Sequence, residues 1–215
     1  MEPGFWHRKW ETNDIGFHGS EANPLLVRHF GALSLKRGSR VFVPLCGKTL
    51  DIAWLLAGGY RVAGAELSRI AVEQLFEGLG AEPEISQAAA SSRYRAEGID
   101  IFVGDIFHLS GEALGPVDAV YDRAALVALP AEMRKRYTAH LREITNDAPQ
   151  LVISYEYDQS LLDGPPFSVS NEEVVRHYAD SHEPVLVASA EIPGGLKGKC
   201  AARENVWLLK GRVSD

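Results

Sequence analysis

Four short segments carry side chains that could bind a ligand, and each follows a predicted strand. They are Pro44-Leu45-Cys46-Gly47-Lys48-Thr49, Glu66, Gly104-Asp105-Ile106 and Tyr121-Asp122-Arg123-Ala124-Ala125-Leu126. In an open parallel sheet, ligands bind beyond the carboxyl ends of the strands, where the strand order reverses. The four segments therefore predict one site at that edge of a sheet.

The first segment is a strand-to-helix turn around Gly47. Glycine lets the backbone approach a ligand, and the helix that follows presents free N–H groups and a positive dipole end. The pattern GxGxxG is missing, so a pyrophosphate cradle is weakly supported and a turn without a ligand fits equally well. Lys48-Thr49 resembles the end of a phosphate loop, but the first glycine of that motif is missing, which argues against a phosphate-loop NTPase.

The acid at the end of the second strand is Glu66, which follows Gly47 at about the 20-residue spacing expected for a ribose-binding carboxylate. Such a group can accept hydrogen bonds from both ribose hydroxyls. The alternative is a solvated glutamate that ends a strand by chance. The spacing favours the ribose role.

The third and fourth segments provide the remaining polar groups. Asp105 and Ile106 suit the base of an adenosyl group, with a polar partner for its amine and an apolar one for its ring, although an Asx-type turn fits equally well. Asp122 and Arg123 should point to opposite sides of the strand. Arg123 could bind a carboxylate or stabilise a thiolate-like acceptor. A surface ion pair is the alternative, and the position favours function.

Aromatic residues are concentrated near the N-terminus. They are Phe5, Trp6, Trp10 and Phe17, beside His7 and His18. They must partly anchor this segment to the core, because tryptophan is costly to expose. They could also form a lid over the predicted site, since an aromatic face suits a cationic ligand and a lid excludes water. We expect His18 to be a polar contact, although it could take a thiol proton.

Alternating elements over residues 40–156 place these segments. Strands are predicted at Arg40–Pro44, Arg61–Glu66, Ile99–Gly104, Asp118–Asp122 and Leu151–Tyr155, and helices at Thr49–Ala57, Ser68–Leu79 and Pro130–Ile144. Ala88–Ser92 is predicted to be a surface loop or a helix end. A helix from Asn171 to Ala179 and two strands, Pro184–Ile192 and Asn205–Leu209, complete the pattern. A helix is also predicted near the N-terminus, from Asn23 to Leu33.

The last two strands have no helix between them, which favours an antiparallel pair. The predicted fold is therefore α/β, a mostly parallel, Rossmann-like sheet of the class I methyltransferase type with an antiparallel C-terminal edge pair. We expect a single domain over residues 1–215, with an N-terminal helical arm or lid at 1–35 and a core at 36–215.

Composition narrows the class of protein. The 215 residues are 46% hydrophobic and 24% charged, with a net charge of −7. This charge argues against a nucleic-acid partner. Cys46 and Cys200 make no CxxC or Cys/His cluster, so neither a disulfide framework nor a metal site is expected. No signal peptide or membrane span is apparent, and we expect a cytoplasmic monomer.

Taken together, the motifs resemble the thiopurine S-methyltransferase family, bacterial branch, from about Phe5 to Leu209. They are Trp6-His7-Arg8-Lys9-Trp10, Gly16-Phe17-His18, Val41-Phe42-Val43-Pro44-Leu45-Cys46-Gly47-Lys48, Gly64-Ala65-Glu66-Leu67-Ser68, Tyr121-Asp122-Arg123-Ala124-Ala125-Leu126-Val127-Ala128 and Gly164-Pro165-Pro166-Phe167. No single motif is decisive, but the ordered set is highly specific.

The resemblance implies S-adenosylmethionine as methyl donor and an aromatic or heterocyclic thiol as acceptor, with selenium and tellurium species as further acceptors. The implied donor contacts are Trp6, Trp10, Leu45, Glu66, Asp105, Ile106 and Arg123. The implied acceptor contacts are Phe17, His18 and Arg123, with Trp6 and Phe17 also in the lid. Mammalian relatives have a smaller polar residue in place of Asp105. A further cation of the family matches one of Lys197, Lys199 and Arg203, and the sequence does not decide which.

The predicted reaction is an in-line displacement at the sulfonium methyl, in which Arg123 orients the acceptor and favours its anion. A nicotinamide-dependent oxidoreductase is an alternative that the missing GxGxxG disfavours. A non-catalytic S-adenosylmethionine sensor would have a similar sequence. A hydrolase with Cys46 as its nucleophile is a remote alternative, because no histidine is placed by the sequence to activate the thiol.

Overall fold

A computed structural model describes residues 3–16, 18–88 and 91–212. Within these residues, nine strands form one sheet in the order β3-β4-β5-β2-β1-β6-β7-β9-β8. The strands are β1 (Arg40–Pro44), β2 (Arg61–Glu66), β3 (Glu84–Ala88), β4 (Ser91–Ala96), β5 (Ile99–Val103), β6 (Ala119–Arg123), β7 (Gln150–Tyr157), β8 (His182–Glu191) and β9 (Ala202–Gly211).

The middle of the sheet is parallel and both edges are antiparallel. β1 lies between β2 and β6, so the chain order reverses across it. β9 runs antiparallel between β7 and β8. The predicted α/β sheet with an antiparallel C-terminal pair is confirmed, and the carboxyl ends of β1, β2, β5 and β6 share one edge.

Seven α-helices and four 3₁₀ turns lie in the described part of the chain. The helices are α1 (Pro3–Glu11), α2 (Pro24–His29), α3 (Leu50–Ala57), α4 (Arg69–Leu79), α5 (Gly111–Leu114), α6 (Ala131–Thr145) and α7 (Asn171–Tyr178). The 3₁₀ turns are Phe30–Leu33, Ile106–His108, Leu126–Ala128 and Gln159–Leu161. Ser68 caps α4 by accepting from the Ala71 N–H, and Gly80 ends it with a left-handed φ of 64°. Both roles agree with the helix boundaries predicted from these residues.

Two apolar cores cover the two faces of the sheet. One packs α2, α3 and α4 against buried residues such as Val41 and Tyr121. The other packs α5, α6 and α7 against residues such as Phe42 and Val120. Because side chains alternate along a strand, successive residues of β6 serve opposite cores. This alternation separates Asp122 from Arg123.

One expectation needs correction. The segment expected to be a loop or helix end instead contributes the end of β3 and the start of β4, which pair with each other from Glu84↔Arg95 to Ala88↔Ser91. This hairpin at the edge of the sheet is largely polar, and only alternate residues such as Ser92 and Tyr94 are buried. Such short polar strands lack the hydrophobic run that predicts a strand. The N-terminal segment is helical as predicted, with α2 and a 3₁₀ turn inside the range Asn23–Leu33, and it contains the additional helix α1.

No helix in the described ranges is long and apolar enough to cross a membrane. Among the same residues, no group of three or more His, Cys, Asp or Glu side chains could hold a metal ion. Cys46 and Cys200 are both buried, and neither forms a disulfide.

Candidate active site

Two non-glycine residues with left-handed backbone lie at the point where the strand order reverses. Leu45, just after β1, has φ 46°, and Ala124, just after β6, has φ 63°. Residues with a side chain rarely adopt this backbone conformation. Such strained residues are concentrated at functional sites, where the surrounding structure keeps them in place. The two turns follow neighbouring parallel strands, where the sequence analysis predicted a ligand site.

The turn after β1 is covered by the N-terminal helix. Gly47 has φ 53°, and a Cβ there would lie 3.1 Å from Cζ2 of Trp10. Trp10 is itself buried, with 5% of its surface exposed. A side chain at position 47 would therefore meet both backbone strain and the indole. The ring of Trp10 fixes α1 against the turn that begins at Leu45.

Glu66 ties the ends of β1 and β2 together. Its two carboxylate oxygens accept hydrogen bonds from the backbone N–H groups of Gly47 and Ser68, each at 2.8 Å. Burial raises the pKa of Glu66, and the backbone N–H groups of Ser68, Gly47 and Leu67 oppose part of that shift. Since a carboxylate has about four acceptor positions, the side chain retains capacity for a ligand hydroxyl.

The turn after β5 is built by Asp105. Its Oδ1 accepts a hydrogen bond from the Phe107 N–H at 3.0 Å and caps the 3₁₀ turn. Ile106 is buried, with 5% of its surface exposed. The Asx-type turn weighed in the sequence analysis is therefore present. It uses one carboxylate oxygen and leaves the other for a ligand.

Asp122 serves the structure of the turn after β6. It is fully buried and accepts hydrogen bonds from the Leu126 N–H at 3.0 Å and the Tyr137 hydroxyl at 2.7 Å. Burial raises the pKa of Asp122 to about 6, against the opposing effect of these donors. The side chain thus pins the strained turn that contains Ala124. It points away from Arg123, as the strand alternation predicts.

Arg123 lies in a polar cluster on the other face of the sheet. Its guanidinium interacts with the Tyr155 hydroxyl, which also interacts with the Glu204 carboxylate. Its Nε is buried and has no hydrogen-bond partner among the described residues. A buried donor without a partner is costly, and a site that binds a polar ligand can retain one.

A second carboxylate and a histidine complete this cluster. The Tyr121 hydroxyl donates to Asp51 at 3.0 Å within the core beneath the crevice. The pKa of His18 is lowered by burial, then by the nearby charges of Lys48 and Arg123. Because its pKa is lowered, the imidazole stays neutral over more of the pH range, which suits a polar contact.

The aromatic residues of the N-terminal segment are only partly described. Trp6 is half-buried in α1 and packs edge to face on Phe5, with 5.2 Å between ring centroids. Phe17 lies outside the described residues, so its predicted place in the lid and acceptor site stays a prediction.

The three cations near the C-terminal hairpin have different surroundings. Lys197 donates from Nζ to the Pro165 carbonyl at 2.8 Å. Lys199 lines a surface depression beside Lys197. Arg203 donates to Ser189 at 3.0 Å and lies 3.8 Å from Glu191, so it points to β8. Lys197 therefore contacts the segment that contains Pro165, whereas Arg203 contacts β8.

Sequence reasoning missed Tyr155 and Glu204. Both follow Arg123 on one face of the sheet, because Arg123 pairs with Ile153, and Tyr155 pairs with Glu204. The only signal available was strand alternation, and using it required knowing that β9 lies next to β7. That adjacency is a property of the topology and not of any local motif.

Comparison with protein families gives a match over nearly the whole chain. A family model described as thiopurine S-methyltransferase matches residues 1–211. The chain is 59% identical over 211 residues to a thiopurine S-methyltransferase of Xanthobacter autotrophicus, covering 98% of this chain and 99% of the relative. A second relative of that name, from Teredinibacter turnerae, is 50% identical over 215 residues and is covered completely, as is this chain.

Solved structures with the same fold are more distant in sequence. One is the 1,6-didemethyltoxoflavin-N1-methyltransferase of Burkholderia thailandensis with bound 1,6-didemethyltoxoflavin and S-adenosylhomocysteine. It has a TM-score of 0.67 and 17% identity, with 97% of this chain and 87% of that chain covered. A methyltransferase from Anabaena variabilis gives a TM-score of 0.64 at 14% identity, covering 98% and 95% of the two chains.

Proposed function

The chain belongs to the thiopurine S-methyltransferase family and is an S-adenosylmethionine-dependent methyltransferase, and we propose that it methylates the sulfur of aromatic and heterocyclic thiols. The observation that carries this proposal is the position of Arg123 beside the crevice, with a buried and unpartnered Nε. A guanidinium stabilises a soft anion such as a thiolate without contributing acid–base chemistry of its own.

We assign the donor to the crevice between β1 and β2. Glu66 has acceptor capacity left for a ribose hydroxyl, while Leu45 and Trp10 bound the turn that faces the amino-acid part of the donor. Asp105 has one free carboxylate oxygen for the adenine amine, and Ile106 gives that ring an apolar surface. These groups come from four different elements, so the donor is held from several sides.

The chemical step needs positioning more than activation. The acceptor sulfur attacks the methyl carbon in line with the sulfonium, whose positive charge already makes it a good leaving group. Holding the reactants in this geometry can supply about 7–11 kcal/mol of the barrier reduction. Trp6, with Phe17, would cover the crevice and exclude water. His18 would contact the acceptor as a neutral polar group.

Selenium and tellurium compounds form a second proposed class of acceptor. Selenides and tellurides share with thiolates a soft, polarisable anionic centre, whereas selenite and tellurite carry their charge on oxygen and offer a lone pair on the central atom. Arg123 would orient either kind of anion. We further propose that the protein acts as a cytoplasmic monomer without a nucleic-acid partner. The net charge of −7 argues against a nucleic-acid partner, and the two buried cysteines without a disulfide suit a reducing cytoplasm.

The experiment is a methyl-transfer assay with isotopically labelled S-adenosylmethionine. The panel should hold 6-mercaptopurine, 4-nitrothiophenol, selenite and tellurite, and the matching oxygen compounds 6-hydroxypurine and 4-nitrophenol serve as controls. We expect labelled thioethers from the thiols and little product from the oxygen compounds. Equal transfer to the oxygen and sulfur compounds, or transfer to neither, would contradict the proposed sulfur specificity.

A further inference from the structure

The acceptor side of the crevice contains a carboxylate that the reaction above does not use. Glu204 pairs with Tyr155 across β7 and β9, so the two side chains stand on the same face of the sheet. The face is that of Arg123, which pairs with Ile153 two residues before Tyr155. The three residues therefore form a row from β6 to β9 along the carboxyl edge of the parallel strands.

The Tyr155 hydroxyl occupies the centre of this row. It interacts with the Glu204 carboxylate on one side and the Arg123 guanidinium on the other. Burial, and then the charge of Glu204, raise the pKa of Tyr155 to about 12. The hydroxyl therefore stays protonated near neutral pH. It donates a hydrogen bond to Glu204 and accepts one from Arg123.

Other ionisable groups lie around this row of residues. Tyr121 of β6 and, through it, Asp51 of α3 lie on the core side, and His18 lies near Arg123 and Asp51. Glu204 itself is half-buried, so a small molecule can still reach it. Burial raises the pKa of Glu204 against the opposing effects of Tyr155 and Arg123, which makes it a stronger base than an exposed glutamate.

We propose that Glu204 is a catalytic residue that takes the proton of the acceptor thiol, while Arg123 holds the thiolate that remains. The inference rests on the proposed thiol S-methylation. The S–H bond breaks and its proton passes to the carboxylate. The sulfur lone pair then forms the new S–CH₃ bond as the donor's S⁺–CH₃ bond breaks, and the electron pair of that bond stays on S-adenosylhomocysteine. Glu204 later releases its proton to water.

The charge balance of the row defines the substrate class. When a neutral thiol transfers its proton to Glu204, the total charge of the site is unchanged, so no additional anion has to be buried. A thiol that is already ionised would add a second negative charge beside Glu204. Arg123 can hold an acceptor that arrives ionised, but an acceptor that arrives protonated, a thiol whose pKa lies above the pH of the medium, depends on Glu204.

The test compares two acceptors in the wild-type protein and in Glu204→Gln. At neutral pH 4-nitrothiophenol is ionised, and benzyl mercaptan is protonated. We expect kcat/KM of Glu204→Gln to fall by about a hundredfold for benzyl mercaptan, the scale of general-base catalysis. For 4-nitrothiophenol it should stay the same or rise, because a repelling charge is removed. Tyr155→Phe should shift the ratio of the two values in the same direction by a smaller factor.

The matched control is Glu191→Gln on the neighbouring strand, where the carboxylate is 85% exposed. It should leave the ratio of the two kcat/KM values as in the wild type. Titration calorimetry with S-adenosylhomocysteine checks that each variant is folded and binds the nucleotide product. If Glu204→Gln does not fold, Tyr155→Phe alone decides the question through the same ratio.

The inference is overturned if Glu204→Gln lowers both kcat/KM values by one common factor or changes neither. It is also overturned if His18→Gln, and not Glu204→Gln, selectively slows benzyl mercaptan, because the base is then the imidazole. If wild-type protein methylates 4-nitrothiophenol but not benzyl mercaptan, the inference is overturned while the proposed function stands. Failure of the underlying function looks different, since wild-type protein would then methylate neither thiol.

Discussion

The two halves of the crevice are built by different means. On the donor side, the carboxylate of Glu66 and the backbone N–H groups of Gly47 and Ser68 form a compact, buried network. On the acceptor side, the side chains of Arg123, Tyr155 and Glu204 meet from three separate strands. The donor side uses backbone N–H groups in fixed positions. The acceptor side uses longer side chains, in which the charge of Arg123 opposes that of Glu204.

This difference matches the tasks proposed for the two halves. A donor that is the same in every reaction cycle suits groups that the backbone holds in place. An acceptor that varies in shape and protonation suits side chains that can adjust their hydrogen bonds. Substitutions on the donor side should therefore change binding and stability, whereas those on the acceptor side should change turnover.

Arg123→Ala is the strongest test of this division. We expect kcat/KM for a thiol acceptor to fall by about a hundredfold to a thousandfold, the scale for losing one donor to a developing anion. The dissociation constant for S-adenosylhomocysteine should rise by less than about tenfold. Steady-state kinetics and calorimetry measure the two effects. Arg123→Lys keeps the charge without the planar fork and should be intermediate. Wild-type turnover in Arg123→Ala would remove this residue from the reaction.

Glu66→Ala tests the donor side. Two buried N–H groups would lose their acceptor at about 1–3 kcal/mol each, so unfolding should need markedly less denaturant. The dissociation constant for S-adenosylhomocysteine should rise by about a hundredfold. Glu73→Gln, at an exposed carboxylate of α4, is the control and should change neither quantity. Product binding of wild-type strength in Glu66→Ala would contradict the ribose assignment.

The residues proposed for the donor side could be located from the sequence because their features are local. The interval from Gly47 to Glu66 spans one strand-helix-strand unit, and the caps Ser68 and Gly80 mark a helix through well-known backbone preferences. The strained backbone of Leu45 was not predicted, because a leucine gives no sign of a left-handed φ.

The acceptor side could not be predicted in the same way. Tyr155 and Glu204 are far apart in the chain, and they meet only because β9 inserts between β7 and β8. The hairpin of β3 and β4 was missed for a related reason. Pairing between the two strands, and not the sequence of either strand, determines that this hairpin is extended. Tertiary context here overrides a weak strand propensity.

The turn that carries Arg123 should respond to pH through Asp122. Its pKa is raised to about 6 in the folded protein, above the value of about 3.9 for an unfolded chain. The folded state therefore binds more protons between these values, and stability from this group is lost as pH rises from about 4 to about 7. The shift corresponds to at most about 3 kcal/mol.

The measurement is the melting temperature of wild type and Asp122→Asn between pH 4 and 8. Glu66 and Glu204 also have raised pKa values, so only the difference between the two proteins reports on Asp122. The melting temperature of the variant minus that of wild type should increase as pH rises, and this difference should reach a plateau above about pH 7. A difference that is constant with pH would mean that Asp122 does not titrate in this range.

The smallest effect is expected at the edge of the acceptor side. Arg203 points to Ser189 and Glu191 on β8, and its side chain is 49% exposed. An exposed ion pair of this kind contributes about 0–1 kcal/mol, so Arg203→Ala should leave kcat/KM within about twofold of wild type. Lys197→Ala, which removes the contact with Pro165, should raise KM for the acceptor by a larger factor. If Arg203→Ala had the larger effect on KM, the boundary of the acceptor side would lie one strand further out, at β8.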